Sequence, residues 1–433
     1  MPRMLAELKQ VRFPVETGLL LALCVFLPLF EAPKNLLWAA YAATWIANRI
    51  RVRDFGGRWD RWDTLIALWI ASGFVVAAFA GLDKSEWRGA GDLLRYASLL
   101  WLVRRGGYSG RELVWLLGAL VASAVAGLGY GYWRLWSGAG KSGTLQLHSV
   151  GHVNHTAIYL AIMLGVCAAW IFARWRSWRT GQRAVAAAIG LLMMVSLIVT
   201  ASRGAVGAGL LALLLLSAAW WRRWRAPLVA SASALVVVAA LLVGFGAEIV
   251  RKQEDRAGER NILAFRDGVW RMGLAAWERY PWFGVGMDNY SVISNELVRA
   301  WRTEAGKNYD ESRYVRFPHA HSLYVNTLAE RGVVGAAALA AVLAAWLAAL
   351  WRRRPAPGAA DPDWLLWGAA ASAWLVTVGA GVVNTTLHHE HGILAALLLG
   401  AWLCHLRAQP AALKAQPTAF KAQPPAFKAQ PPA

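Results

Sequence analysis

The chain has 433 residues, of which 58% are hydrophobic and only 16% charged, against roughly 25% charged residues in an ordinary soluble domain. That balance excludes a soluble globular fold and a disordered chain alike. A net charge of +20 would suggest nucleic acid on a soluble protein, but here the basic residues punctuate apolar runs, where they set membrane topology. The expected surroundings are therefore a phospholipid bilayer and not a nucleic acid. The 26 tryptophans suit the membrane interface.

From the N-terminus, MPRMLAELKQVRFP is amphipathic and mixed in charge, with no signal-peptidase site, so the first apolar run is expected to be a retained helix. Apolar length then predicts about twelve spanning helices, at 14–31, 35–48, 63–81, 90–103, 112–133, 155–173, 184–200, 204–221, 226–248, 333–351, 364–384 and 391–406. The runs at 35–48, 90–103 and 391–406 are short and are expected either to start deeper or to be extended by flanking polar turns. Cys24, Cys167 and Cys404 all lie in apolar runs and read as packing residues.

Every second connection is basic. Arg49, Arg51 and Arg53 follow the second run, Arg104 and Arg105 the fourth, RWRSWRTGQR the sixth, WRRWR the eighth and WRRRP the tenth. The alternate connections EAPK, LDKSEWRGAG and NTTLHHEH carry little net charge. Positive-inside logic places both termini in the cytoplasm. The chain then divides into helices 1–9 (residues 1–248), a polar outer loop region (249–332), helices 10–12 (333–406) and a tail (407–433). The tail repeats AQPxAxK every seven residues and reads as extended and disordered.

A long loop on the outer face of a bundle is usually functional. Its FRDGVWRMGLAAWERY and NELVRAWRTEAG segments have helical periodicity. Around it, the topology gathers unusual residues. Arg203 sits on the tight Thr200–Gly204 turn, whose small neighbours and following helix start suit an anion. Arg266 and Arg271 share one amphipathic helix, five residues apart, so at most one need face a ligand; a solvated helix face accounts for both equally well. In PHAHSLY, Pro318 favours a helix start, and His321, Tyr324, Val325 and Leu328 then share a face. An imidazole in a first helical turn is held neutral and can accept a proton. Gly332 and Gly335 predict a break before the spanning helix at 333.

His319 with His321, and His388, His389 and His391 with Glu390, offer nitrogen and carboxylate ligands of the kind zinc takes. They follow no recognised metal-ligand spacing, so no metal and no cofactor is expected, and the second group reads as a lining of the same cavity. Asp92 and Arg95 have the spacing of a helical ion pair inside an apolar run. Asn154 has the position of an N-cap ahead of His155.

SRG at 202–204, Arg266-x-x-x-Trp270 followed by Pro281-Trp282-Phe283-Gly284-Val285-Gly286, and His321-Ser322-x-Tyr324 leading to Leu328-Ala329-Glu330-Arg331-Gly332-Val333-Val334-Gly335 occur in this order. GHVNHTA at 151–157 adds a weaker element. Together they make the chain resemble the O-antigen ligase and polymerase superfamily of bacterial membrane glycosyltransferases, most of all its O-antigen ligases. The family motif often has His-Asn where this chain has His321-Ser322. The resemblance implies an all-α glycosyltransferase of the GT-C type in the bacterial inner membrane. It implies metal-independent, inverting transfer of a glycan from undecaprenyl diphosphate to lipid A–core on the periplasmic face. It also implies diphosphate-binding roles for Arg203 and Arg266 and a catalytic role for His321. The residues themselves offer Tyr324, His319, Arg271, Asn154 and Arg95 as secondary candidates. An O-antigen polymerase would share the donor and differ in acceptor. The alternative from another class is a secondary transporter of an anionic solute, although the membrane region shows no convincing repeat. No Walker motif and no GxGxxG after a strand is present.

Overall fold

The computed structural model describes residues 11–80, 86–138, 144–221, 223–227, 232 and 262–409. Among them are thirteen α-helices and no strand. In chain order these are α1 (Pro14–Phe26), α2 (Glu31–Val52), α3 (Arg61–Phe79), α4 (Glu86–Arg105), α5 (Gly110–Trp136), α6 (Val153–Arg174) and α7 (Thr180–Val199). They continue with α8 (Arg203–Trp220), α9 (Ile262–Arg279), α10 (Asn295–Glu304), α11 (Leu323–Arg352), α12 (Asp361–Gly381) and α13 (His389–Ala408). Eight of them, α3, α5–α8 and α11–α13, are long and apolar enough to cross a membrane. This is a polytopic, all-helical membrane protein.

Eleven of the twelve expected runs fall on these helices, eight of which have the length and apolarity of a span, and several ends differ. The second, fourth and twelfth runs are extended by flanking polar turns as expected, most of all α2, which begins at Glu31 and ends at Val52. The first is shorter, because α1 stops at Phe26 and a turn over Leu27–Leu29 follows. The expected span at 226–248 and the tail beyond Gln409 lie outside the described residues.

Local chemistry fixes the helix starts. Asp60 caps α3 in a reciprocal box with Asp63, and Ser109 caps α5 in one with Glu112. At the centre stand α6, α12 and α13, which are buried on nearly every side. The α3–α4 pair packs between α11 and α13, and α7 and α8 pack on α6. Apolar side chains such as Leu36, Phe79 and Leu191 point outward, as the surface of a helix facing lipid requires.

One end of the bundle collects paired arginines. Arg104 and Arg105 both hold Asp63, at 2.6 and 2.8 Å, and Arg407 holds Asp60 at 2.7 Å. Arg49 reaches Glu16 at 3.0 Å and Arg223 reaches Asp361 at 2.7 Å. The opposite end collects the histidines. All three cysteines are buried and unpaired.

The segment between α9 and α11 has its own small core, in which Val269, Met272 and Ala276 of α9 meet Val285, Tyr290, Val298, Ala320 and Ala329. The break at Gly332 is present: α11 leaves helical geometry there, at φ 56° and ψ −158°. The Pro281–Gly286 segment bridges it. Val285 and Gly286 donate their N–H groups to the carbonyls of Ala329 (2.8 Å) and Glu330 (3.0 Å). Val333 and Val334 donate to Pro281 (2.8 Å) and Trp282 (3.2 Å). A side chain on Gly284 or Gly332 would collide with the facing backbone, so the two motifs fit together only as glycines.

Candidate active site

Three polar segments meet at the histidine end. The first is Phe317–Ser322, leading into α11. It does not start a helix at Pro318: α11 begins at Leu323, and Ser322 is its N-cap, accepting from the Val325 N–H at 3.4 Å. His321 therefore stands one residue ahead of the cap in the left-handed region, at φ 49°. Pro318 and Ser322 both carry helix-start signals, and the helix takes the serine cap. The Asn326 side chain secures the turn by accepting from the Ala320 N–H at 2.9 Å.

The His321 ring lies 4.4 Å from His319 and 4.5 Å from Phe317, centroid to centroid, with Phe265 of α9 at 6.4 Å. Burial, reinforced by His319, Arg266 and His152, pushes its pKa down to about 3. The ring is neutral as expected, but burial and the Arg266 guanidinium hold it so, rather than a place in the first helical turn. Burial, with His388 and His152, likewise lowers His319 to about 4.

The second segment is the Thr200–Arg203 turn. Ala201 is left-handed at φ 55° and Ser202 is the residue before α8, whose first residue is Arg203. The Arg203 side chain is exposed. Gly204 packs on Val383 and Asn384 at the end of α12, and the Asn384 carbonyl accepts from the Leu323 N–H at 3.1 Å. The SRG turn and the HSLY turn thus share one anchor, the residue pair after α12.

Arg266 lies on α9, close enough to His321 to act on its charge. It is half-buried, burial lowers its pKa, and it has no hydrogen-bond or ion-pair partner among the described residues. Arg271 on the same helix is instead paired with Asp267 at 2.8 Å. Of the three arginines on that helix, Arg271 and Arg279 are committed to carboxylates, the latter to Glu304 at 2.9 Å, and Arg266 is not.

The third segment is the Asn384–His391 connection, facing the start of α6. His155 stands 4.7 Å from His389, 5.3 Å from His391 and 6.1 Å from His388. Glu390 is turned away, buried in an ion pair with Lys34 and accepting from Ser149 at 3.0 Å. His152, not Asn154, caps α6, its Nδ1 accepting from the Asn154 N–H at 3.2 Å. Arg95 forms the expected ion pair with Asp92 at 3.0 Å and reaches Asn35 at 2.9 Å. Tyr324 donates its hydroxyl to the Val378 carbonyl at 2.9 Å, tying α11 to α12. The convergence of His152, His155, His388, His389 and His391 was not legible beyond a general cavity lining, because it depends on how α6 and α13 pack.

Chemically, the site offers neutral imidazoles able to take a proton and guanidiniums able to hold an anion. Among the described residues no carboxylate pairs with Arg266 or Arg203. A comparison with curated proteins finds no match. The family model described as O-antigen ligase (Wzy_C) matches residues 188–340, a stretch that contains Arg203, Arg266, His321 and the bridged break at Gly332. Over that stretch the chain is similar to the O-antigen ligase family, which supports its membership of the O-antigen ligase and polymerase superfamily.

Proposed function

We propose that the protein is an O-antigen ligase of the inner membrane. It transfers a glycan from undecaprenyl diphosphate to a sugar hydroxyl of lipid A–core at the histidine end, which faces the periplasm. The observation that carries this reading is Arg266, a half-buried guanidinium without a protein anion, beside the half-buried neutral imidazole of His321.

The donor already carries its leaving group, so the chemistry needs neither nucleotide nor metal. His321 accepts the acceptor hydroxyl's proton as the oxygen attacks the anomeric carbon. The bond from that carbon to the diphosphate oxygen breaks, and the electron pair leaves with the diphosphate. A single displacement of this GT-C type inverts the anomeric centre. Arg266 and Arg203 bind the diphosphate and neutralise the charge that grows on it, the part a divalent cation plays elsewhere. His319 and Phe317 hold the His321 ring; Tyr324 fixes the helix behind it.

A general base typically contributes about 10²–10⁴-fold, so a His321→Ala variant should lose transfer by that factor while its thermal unfolding in detergent stays near that of the parent. The test is lipopolysaccharide from cells whose only ligase is this variant. A normal O-antigen ladder would remove His321 as the base. Purified protein given the donor with either lipid A–core or a second lipid-linked glycan separates ligase from polymerase.

A further inference from the structure

We infer that His155, His388 and His389 form a binding site for a divalent metal ion of the zinc class, separate from the transfer chemistry. One ring nitrogen from each can be chosen so that all three lie within 4.8 Å of one another. Zinc holds imidazole nitrogens at about 2.0–2.1 Å, so the three rings would draw closer around an ion. The three come from two elements, His155 from the first turn of α6 and the others from the turn into α13, so an ion would tie those elements together.

Two further observations point to a ligand. The buried Nδ1 of His388 has no hydrogen-bond partner, and neither ring nitrogen of His391 has one. His391 is only 1% exposed, and its ring is 5.3 Å from that of His155. Buried polar atoms left unpaired call for an explanation, an ion among them. The backbone is also held for this arrangement: Leu387 and His389 both adopt left-handed φ values, 54° and 46°. That turn brings the His388 and His389 rings to 3.7 Å, and Gly392 is packed against it too closely to carry a side chain.

The donor set decides the ion. Glu390, the one carboxylate within the cluster's sequence, is held by Lys34 and Ser149, so the ligands are all imidazole. That set suits zinc, copper, nickel or cobalt and not magnesium or calcium, which take oxygen. Three ligands leave a fourth corner for His391 or a water.

The experiment uses the full chain without a histidine tag, stripped by chelator in detergent and titrated with Zn²⁺ calorimetrically and with Co²⁺ by visible absorption. The expected result is one ion per chain, a cobalt spectrum of the tetrahedral type, and a rise in unfolding temperature with zinc. A His389→Ala variant, at an exposed position, should fold and lose the site, and His388→Ala should do the same. A His148→Ala variant, outside the cluster beside Tyr130, should bind as the parent does. Absence of stoichiometric binding, or binding unchanged in His389→Ala, would overturn the proposal. The outcome is independent of whether His321 is the transfer base, because no readout involves activity.

Discussion

His321 is set by its neighbours in a way that makes a measurable difference. A free histidine loses its proton near pH 6.5, whereas burial, His319, Arg266 and His152 press this one far below that value. As the proposed base, His321 is thus neutral throughout the physiological range. Transfer, read as kcat/KM, should stay level from about pH 8 down to about pH 6 and fall only in more acid buffer. An acid limb centred on 6.5 or above would mean that the base is another group or that His321 is solvated. At this scale the sequence was most informative where short motifs carry a role. It located His321, Arg266 and Arg203 but assigned His321 to a helical turn. Whether Arg266 or Arg271 was available could not be read from spacing, because the Asp267 carboxylate one turn away takes Arg271.

Among the elements, α11 is the most unusual, and its interruption was legible because two glycines stood just where a spanning helix had to begin. What could not be read was the bridge, since hydrogen bonds between Pro281–Gly286 and Ala329–Val334 depend on tertiary docking. At φ 56° and ψ −158° Gly332 occupies backbone space closed to other residues, where strain costs about 1–3 kcal/mol before any collision is counted. A Gly332→Ala variant should therefore lower the unfolding temperature and cut transfer. Gly335→Ala, although crowded by the Arg331 side chain, has no such backbone demand and should be milder. Equal losses in the two variants, measured in the same detergent, would argue that side-chain crowding and not backbone geometry sets the break.

For the whole molecule, the charge pattern was the clearest signal. Connections that alternate between basic and neutral in the sequence segregate to opposite ends of the bundle, with Arg49, Arg104, Arg105, Arg223 and Arg407 at one end and eight of the nine histidines at the other. Hydropathy could find the helices, but not their neighbours: nothing in the sequence says that α6, α12 and α13 form the centre. If the basic end is cytoplasmic, a fluorescent reporter fused beyond Gln409 should light up in cells. An alkaline phosphatase fused at the same point should be inactive, and a cysteine placed at exposed Asn308 should react with impermeant reagents from outside. The reverse pattern would invert the protein and move the site to the cytoplasm.

The bridge at Gly332 also changes what counts as a part of this molecule. The cut ends of α11 are closed by a turn far away in the chain, so the helix is a composite whose missing piece is lent by the loop. In a low-dielectric setting, withdrawing that turn would strand four backbone groups at once. The loop is therefore not a separable module grafted onto a finished bundle. A loop exchanged with a relative would have to bring its own closing turn, with glycine at the points of closest backbone approach, or leave α11 open at its break.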